Sequence, residues 1–223
     1  GFLTATLNTK QDLEDVRPAA SSQIYDINGN ELANVHAEQN RVPVKISQVP
    51  EHLKDAFIAV EDVRFYDHAG VDPKGIMRAL IANITNKGVA EGGSTITQQL
   101  AKQLFTEKAH SVAERLMQKP IEWVIAVQLE RTYTKDEIIA LYLNYFDFLH
   151  NAVGIKTASN TYFGKDPKNL SVNEAATLIG LCKNPSYFNP VRHPERCVER
   201  RNVVLAQMEK AGYLSASHCD SLS

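Results

Sequence analysis

The sequence predicts a mainly α-helical fold with a short β-hairpin near its N-terminus. Apolar residues recur at helical spacing from Pro50 onward, a hydroxyl residue stands three positions ahead of Glu at three separate points, and Asn28-Gly29 separates two short strand-like runs. In the hairpin, residues 23–27 and 31–36 flank Asn28-Gly29, a pair that accepts the positive φ angles of a tight turn. Pro50 suits a first helical turn, and Leu53, Ala56, Phe57, Ile58 and Val60 then give an apolar face as far as about Phe65. Beyond Glu91-Gly92-Gly93, Ile96, Leu100 and Leu104 share a face at four-residue intervals. Ser111 with Glu114, Thr134 with Glu137, and Ser171 with Glu174 form capping boxes, in which the two residues satisfy each other's orphan backbone donors. Pro120 should kink or interrupt the helix that Ser111 starts, at a cost of about 3 kcal/mol. A last amphipathic helix runs from about Pro194 through Val198, Leu205 and Met208 and stops near Gly212, which suits a left-handed C-terminus.

With 223 residues, 43% of them hydrophobic, the chain can bury a substantial core as one domain. Residues 1–21 read as a linker or truncated juxtamembrane segment, and 22–223 as the domain. A formal net charge of −2 gives no bulk attraction to nucleic acid, so any anion site must be local. Cys182, Cys197 and Cys219 show neither zinc-ligand spacing nor an even count for a disulfide framework. No stretch approaches the roughly 20 apolar residues that cross a bilayer.

Two segments carry chemistry. In the first, Glu61 and Asp62 end an apolar helix and His68 follows; adjacent helical side chains point about 100° apart, so one carboxylate should face a cleft. Taken alone, such a pair is usually a solvated helix end. In the second, Gly92-Gly93 precede Ser94, Thr95 and Thr97 at a helix start, where free N–H groups and the dipole favour an anionic or hydroxylated ligand. Gln98 and Lys102, four apart, should share a polar face suited to sugar and phosphate oxygens. An N-capped surface helix would look similar; a nucleotide P-loop, which needs Gly-Lys-Ser/Thr, is excluded.

Together and in this order the segments closely resemble the peptidoglycan glycosyltransferases (glycosyltransferase family 51), the lysozyme-like domain of bifunctional penicillin-binding proteins and of their monofunctional relatives. Glu61-Asp62 with Phe65 and His68 match the family's first motif, and Gly92-Gly93-Ser94-Thr95-Ile96-Thr97-Gln98-Gln99 with Lys102 its second. Lys119-Pro120-Ile121-Glu122 match the third, and Lys135-Asp136-Glu137-Ile138-Ile139 leading to Tyr142-Leu143-Asn144 the fourth. Asn184-Pro185-Ser186, Asn189-Pro190 and Arg200-Arg201 continue the match to about residue 212. Gln103 stands where the family usually has Asn, Gln118 where it has Arg, and the span from Lys102 to Glu122 is a few residues longer; Arg115, three residues before Gln118, is a candidate substitute for that Arg.

The resemblance implies a larger helical head lobe and a small mobile jaw lobe that faces the membrane, and an enzyme that polymerises lipid II into linear glycan strands. An inverting displacement would form each β-1,4 bond and release polyprenyl diphosphate. Glu61 is the expected general base. Glu122 is the expected second catalytic carboxylate, since Glu137 has a capping role behind Thr134. Substrate binding is expected of Asp62, Phe65, His68, Ser94, Gln98, Gln99, Lys102, Gln103 and Lys119 from the resemblance, with Asp62 orienting a neighbour and His68 tying the motif to its loop, and of Arg115 from its place on the face of Gln118. Helical spacing also sets Phe65, Trp123, Tyr142 and Tyr145 in the core. No metal ligand is assigned, although a divalent cation (Mg or Mn) could ride on the diphosphate, with Glu122 either positioning Lys119 or binding that ion. Residues 106–118, polar and poor in apolar contacts, are the expected flap.

Lipid II, the growing strand and a membrane surface are the expected partners, at the outer face of a bacterial cytoplasmic membrane, with an upstream anchor. The chain has no Ser-x-x-Lys nucleophile of its own, so either the parent is longer and carries a transpeptidase domain, which the resemblance favours, or only polymerisation occurs. Two rival readings are a lysozyme-like glycan-cleaving enzyme and an inactive module that only binds lipid-linked glycan.

Overall fold

A computed structural model describes residues 22–25, 31–35, 43–85, 92–105 and 111–222. Strands β1 (Ser22–Tyr25) and β2 (Glu31–Val35) pair antiparallel, with a register irregularity at Ile24/Tyr25. Asn28-Gly29, which suggested this hairpin, lies outside the described residues, as does the segment 1–21. Nine helices follow among the described residues: α1 (Glu51–Glu61), α2 (Pro73–Thr85), α3 (Ile96–Phe105), α4 (Val112–Thr132), α5 (Lys135–Tyr145), α6 (Ile155–Phe163), α7 (Val172–Leu181), α8 (Pro194–Lys210) and α9 (Ala216–Leu222).

The helix starts follow the local chemistry. Thr134 and Ser171 each accept the N–H of the Glu three residues on, and those Glu side chains accept the cap N–H in return. Ser111 Oγ accepts the Glu114 N–H at 3.2 Å. Gly212, with φ +83°, closes the turn after α8. Two expectations need correction. α4 runs through Pro120 without interruption and packs against α3. Trp123 is 40% exposed rather than core, since Glu122, one residue before it, takes the inward-facing position. The flap expected over 106–118 is, from Val112 on, the first turns of α4; residues 106–110 lie outside the described set.

Burial explains the arrangement around the site. Leu53, Phe57 and Ile58 of α1 are buried with Leu178, Ile179 and Leu181 of α7 and Val204, Leu205 and Met208 of α8 in one apolar cluster. α1 therefore packs against α7 and α8, while α3 packs against α4 and α5. Complete burial of one such Leu or Phe contributes about 1.5–3 kcal/mol, so this core fixes where α1 ends. Asn144 in α5 exchanges two hydrogen bonds of 2.9 Å with the backbone of Val44, which fastens the segment leading into α1.

After α1 the chain turns back through a short 3-10 helix (Phe65–Asp67) to Gly70, where the backbone has φ +91° and meets α4: a Cβ there would lie 2.7 Å from the Ala126 carbonyl carbon and oxygen. Only glycine allows that approach. A Gly70→Ala variant is expected to lose about 1–3 kcal/mol or more, read as a lowered urea midpoint, while wild-type stability would show that the contact yields easily.

Candidate active site

The end of α1 presents two carboxylates in different surroundings. Asp62 is 9% exposed, and its Oδ2 accepts His68 Nε2–H at 2.9 Å and the Ile96 N–H at 3.1 Å. His68 Nδ1 accepts the Gly70 N–H at 3.2 Å, which sets the tautomer, and Thr95 Oγ1 donates to the Gly70 carbonyl at 2.6 Å. Asp62 thus joins the first-motif loop to the positive N-terminus of α3. Lys135 fastens the loop from α5: its Nζ donates to the His68 carbonyl at 2.6 Å and to Glu130 at 2.8 Å and lies 4.3 Å over the Phe65 ring. Thr97 donates to the same Glu130 oxygen at 2.6 Å. Phe65 is wholly buried, so within this geometry it packs the loop and does not reach a ligand.

Glu61 is half-buried and faces α3, where Gln99 Nε2 donates to its Oε2 at 2.8 Å. The Tyr142 hydroxyl donates to Gln99 Oε1 at 3.2 Å. Burial drives the Tyr142 phenol well above its usual pKa, and the nearby Cys182 and Glu61 charges add to this, so it stays a neutral donor. Gln99 therefore has both ends of its amide engaged in orienting Glu61. Gln98, expected on a polar face with Lys102, is instead 1% exposed. Its Oε1 accepts the Thr95 N–H at 3.4 Å while Thr95 Oγ1 accepts the Gln98 N–H at 3.1 Å, a capping box that turns the side chain inward and leaves Gln98 Nε2 buried without a partner.

One turn further along α3 is a cluster of cations. Glu122, 0% exposed, is paired with Arg115 and, at 3.0 Å, with Lys119. Lys119 Nζ also donates to Ser94 Oγ at 2.9 Å, and Arg115 Nη1 reaches Gln118 Oε1 at 3.4 Å. The Lys102 ammonium has its pKa lowered, first by desolvation, then by the positive charge of Arg115 and, to a smaller degree, of Lys119, with Glu122 opposing. Gln103 is exposed beside Lys102. Three cations of two helices thus gather round a single buried carboxylate, and their mutual repulsion favours an incoming anion. Among the described residues no three His, Cys, Asp or Glu stand together as a metal-binding group, and Glu122 is engaged by two cations.

α3 links the two halves. Gln99 touches Glu61, and Lys102, three residues on, lies one turn along the same helix toward Glu122 and Lys119. Sequence reasoning did not foresee the holding roles of Tyr142, Thr97 and Glu130. For Tyr142 a signal existed, since Lys135 and Tyr142 are two turns apart on one helix and both occur in the fourth motif.

The sequence profile of a family described as Transglycosylase matches residues 28–209. The chain belongs to that family. It is 46% identical over 197 residues to penicillin-binding protein 1F of Bacillus subtilis (strain 168), a match that covers 88% of this chain and 27% of that one. It is 44% identical over 208 residues to penicillin-binding protein 1A of Escherichia coli (strain K12), covering 93% of this chain and 24% of that one. The crystal structure of penicillin-binding protein 1A from Haemophilus influenzae superposes with a TM-score of 0.50 at 27% identity, over 91% of this chain and 20% of that one. The chain thus spans about a quarter of the length of these curated relatives, and as a member of the transglycosylase family it is a mainly helical, lysozyme-like glycosyltransferase domain.

The lowered pKa of Lys102 gives a pH signature. This ammonium loses its proton before an ordinary lysine, near pH 10.4, would, so charge and anion affinity should fall as pH rises on the alkaline side. Calorimetric titration with an organic diphosphate should show an alkaline loss of affinity that Lys102→Arg, whose side chain stays charged, removes. An identical alkaline loss in both proteins would exclude Lys102 as its source.

Proposed function

We propose that this domain polymerises a lipid-linked disaccharide into glycan strands, with Glu61 as base and the Lys102, Arg115 and Lys119 cluster on the donor diphosphate. The observation that carries this reading is the attachment of both groups to one short stretch, residues 94–105 comprising α3 and the two residues before it, through Gln99 to Glu61 and through Lys102 and the Ser94–Lys119 bond to the cations. In the reaction, the 4-hydroxyl of the acceptor sugar attacks the anomeric carbon of the donor. Glu61 takes the hydroxyl proton, the new carbon–oxygen bond forms from the face opposite the leaving group, and the bonding pair to the diphosphate departs with the diphosphate. Inversion turns an α-linked donor into a β-linked product, and no enzyme nucleophile is needed. The cations stabilise the negative charge as it develops, and Glu122 holds two of them in place. A glycan-cleaving enzyme would have no comparable use for three cations at its leaving group.

The substrate's lipid calls for a membrane surface, and the exposed apolar residues supply one. On α2, Met77, Leu80, Ile81 and Ile84 are 57%, 53%, 54% and 73% exposed, at the spacing of a single helical face. On α4, Leu116, Met117, Ile121 and Val124 are 67%, 76%, 54% and 60% exposed, in the half of the helix that carries Arg115 and Lys119. No described helix is long and apolar enough to cross a membrane. The domain accordingly works on a bilayer, with these residues dipped into its surface at the outer face of the cytoplasmic membrane. A transpeptidase domain completes the parent protein, in keeping with the names and greater length of its relatives.

With lipid-linked disaccharide in detergent or vesicles, the wild-type domain should produce long glycan strands, and Glu61→Gln should lower the rate about 10²- to 10⁴-fold. Shortening of preformed glycan without polymer would support the hydrolytic reading instead. In vesicle co-sedimentation, Ile84→Asp with Met117→Asp should weaken binding at least tenfold; unchanged binding would remove these residues from the membrane surface.

A further inference from the structure

A cavity of about 250 Å³ lies where the α5–α6 loop meets the α7–α8 connection, lined by Leu149, His150, Ser186, Asn189 and Arg192. None of the five belongs to the cation cluster or to the hydrogen-bonded partners of Glu61. A row of rings joins it to the site. The Tyr142 ring, whose hydroxyl reaches Gln99, stacks on Phe146 at 5.7 Å, and Phe146 meets Phe148 edge-on at 4.9 Å, one residue before Leu149.

The α5–α6 loop is held in a conformation that a plain connection would avoid. Leu149, His150 and Asn151 have φ of +66°, +52° and +59°, and among the described residues they are the non-glycine residues with positive φ. That region is tolerable for Asn and unfavourable for Leu, and it persists only where the surroundings over-determine it. Here Asp147 Oδ1 accepts the Leu149 N–H at 2.8 Å, the Ala152 N–H donates to the Leu149 carbonyl at 2.8 Å, and the Tyr162 hydroxyl donates to the Phe148 carbonyl at 2.6 Å. The loop so fixed presents His150 to Asn189 of the other segment.

Asn189, 4% exposed, sets the chemistry of the cavity. Its Oδ1 accepts the N–H groups of Val191 at 2.9 Å and Arg192 at 3.1 Å, so its Nδ2 is the donating end. Nδ2 lies 3.1 Å from His150 Nε2; Oδ1, 3.3 Å from the same nitrogen, already has its two backbone donors. Nε2 therefore accepts, and the proton of the neutral ring sits on Nδ1 as a donor. Among the described residues the Ser186 hydroxyl and the Arg192 guanidinium make no hydrogen bond or ion pair. The lining thus offers three donor groups, one of them a cation, together with an apolar side chain and no Asp or Glu.

That set selects an anion of one charge. A diphosphate calls for several cations, as beside α3, whereas one guanidinium matches the two oxygens of one carboxylate. The neutral donors of His150 and Ser186 then suit the peptide carbonyl that precedes such a carboxylate. At about 250 Å³ the cavity is smaller than the about 300–1,000 Å³ that encloses a drug-sized ligand, so it takes the end of a chain and not a whole disaccharide. We propose that this cavity binds the terminal carboxylate of a short peptide, with Arg192 on the carboxylate, His150 and Ser186 on the preceding carbonyl, and Leu149 against the last side chain. The role of Glu61 has no part in this inference.

The test is calorimetric titration of the 223-residue chain with N-acetyl-dialanine and with its C-terminal amide. The acid should bind at least about tenfold more tightly than the amide, and Arg192→Gln should bring it down to the level of the amide. Arg192→Lys, a point charge without the fork, should lose about threefold, and Lys119→Gln in the cation cluster should change affinity less than about twofold. Arg192 is exposed, so the variants should unfold at the wild-type temperature. Equal affinity for acid and amide, no binding of the acid, or binding that survives Arg192→Gln overturns the proposal, as does binding that Lys119→Gln abolishes. Polymerisation kinetics then identify the source of the peptide. A KM that Arg192→Gln raises about tenfold for a lipid-linked disaccharide with a carboxyl-ended peptide, and not for one with an amide end, assigns it to the substrate; equal KM values assign it to a separate peptide. Absence of polymerisation in the wild type would sink the proposed function and leave the calorimetric result standing.

Discussion

A single carboxylate oxygen, Oδ2 of Asp62, ties the site together. It accepts from His68 and from the first N–H of α3, so the loop that ends α1 and the helix that carries the second motif cannot move independently. Removing it would leave two buried donors without partners, each costing about 1–3 kcal/mol. The bond also places a negative charge at the helix N-terminus, where the dipole favours it. With α3 anchored in this way, Gln99 arrives at Glu61 and Lys102 at the cation cluster without further adjustment.

The two carboxylates that end α1 divide the work because they point apart. Asp62 turns inward and becomes structural; Glu61 turns toward α3 and stays accessible. A similar division holds for the paired glutamines. Gln98 points into the core and closes the capping box with Thr95, while Gln99 donates to the Glu61 carboxylate. Beside α3, the buried Glu122 keeps Arg115 and Lys119 together despite their like charge. α4 starts early enough, with Ser111 as its cap, for Arg115 to pair with Glu122 two turns on.

Much of this could be read from the sequence because the controlling signals are local. The helix starts at Thr134 and Ser171 were legible from hydroxyl–Glu spacing, and the core face of α1 from its apolar period. The ordered motifs pointed to Glu61, Lys102, Lys119 and Glu122 together. What escaped were the partners of each side chain. Nothing local tells that Gln98 caps its own helix, that Trp123 faces solvent while Glu122 is buried, or that Pro120 is tolerated within α4. Nor does spacing reveal that Arg200 lies on Gly180, since the two meet only through the packing of α8 on α7.

The most direct measurement is a crystal structure of the domain with a non-transferable disaccharide diphosphate and an acceptor disaccharide bound. The arrangement along α3 predicts diphosphate oxygens in contact with Lys102, Arg115 and Lys119, and the acceptor 4-hydroxyl within hydrogen-bond reach, about 2.6–3.2 Å, of Glu61. A diphosphate bound away from that cluster, or an acceptor hydroxyl directed at some other base, would contradict it.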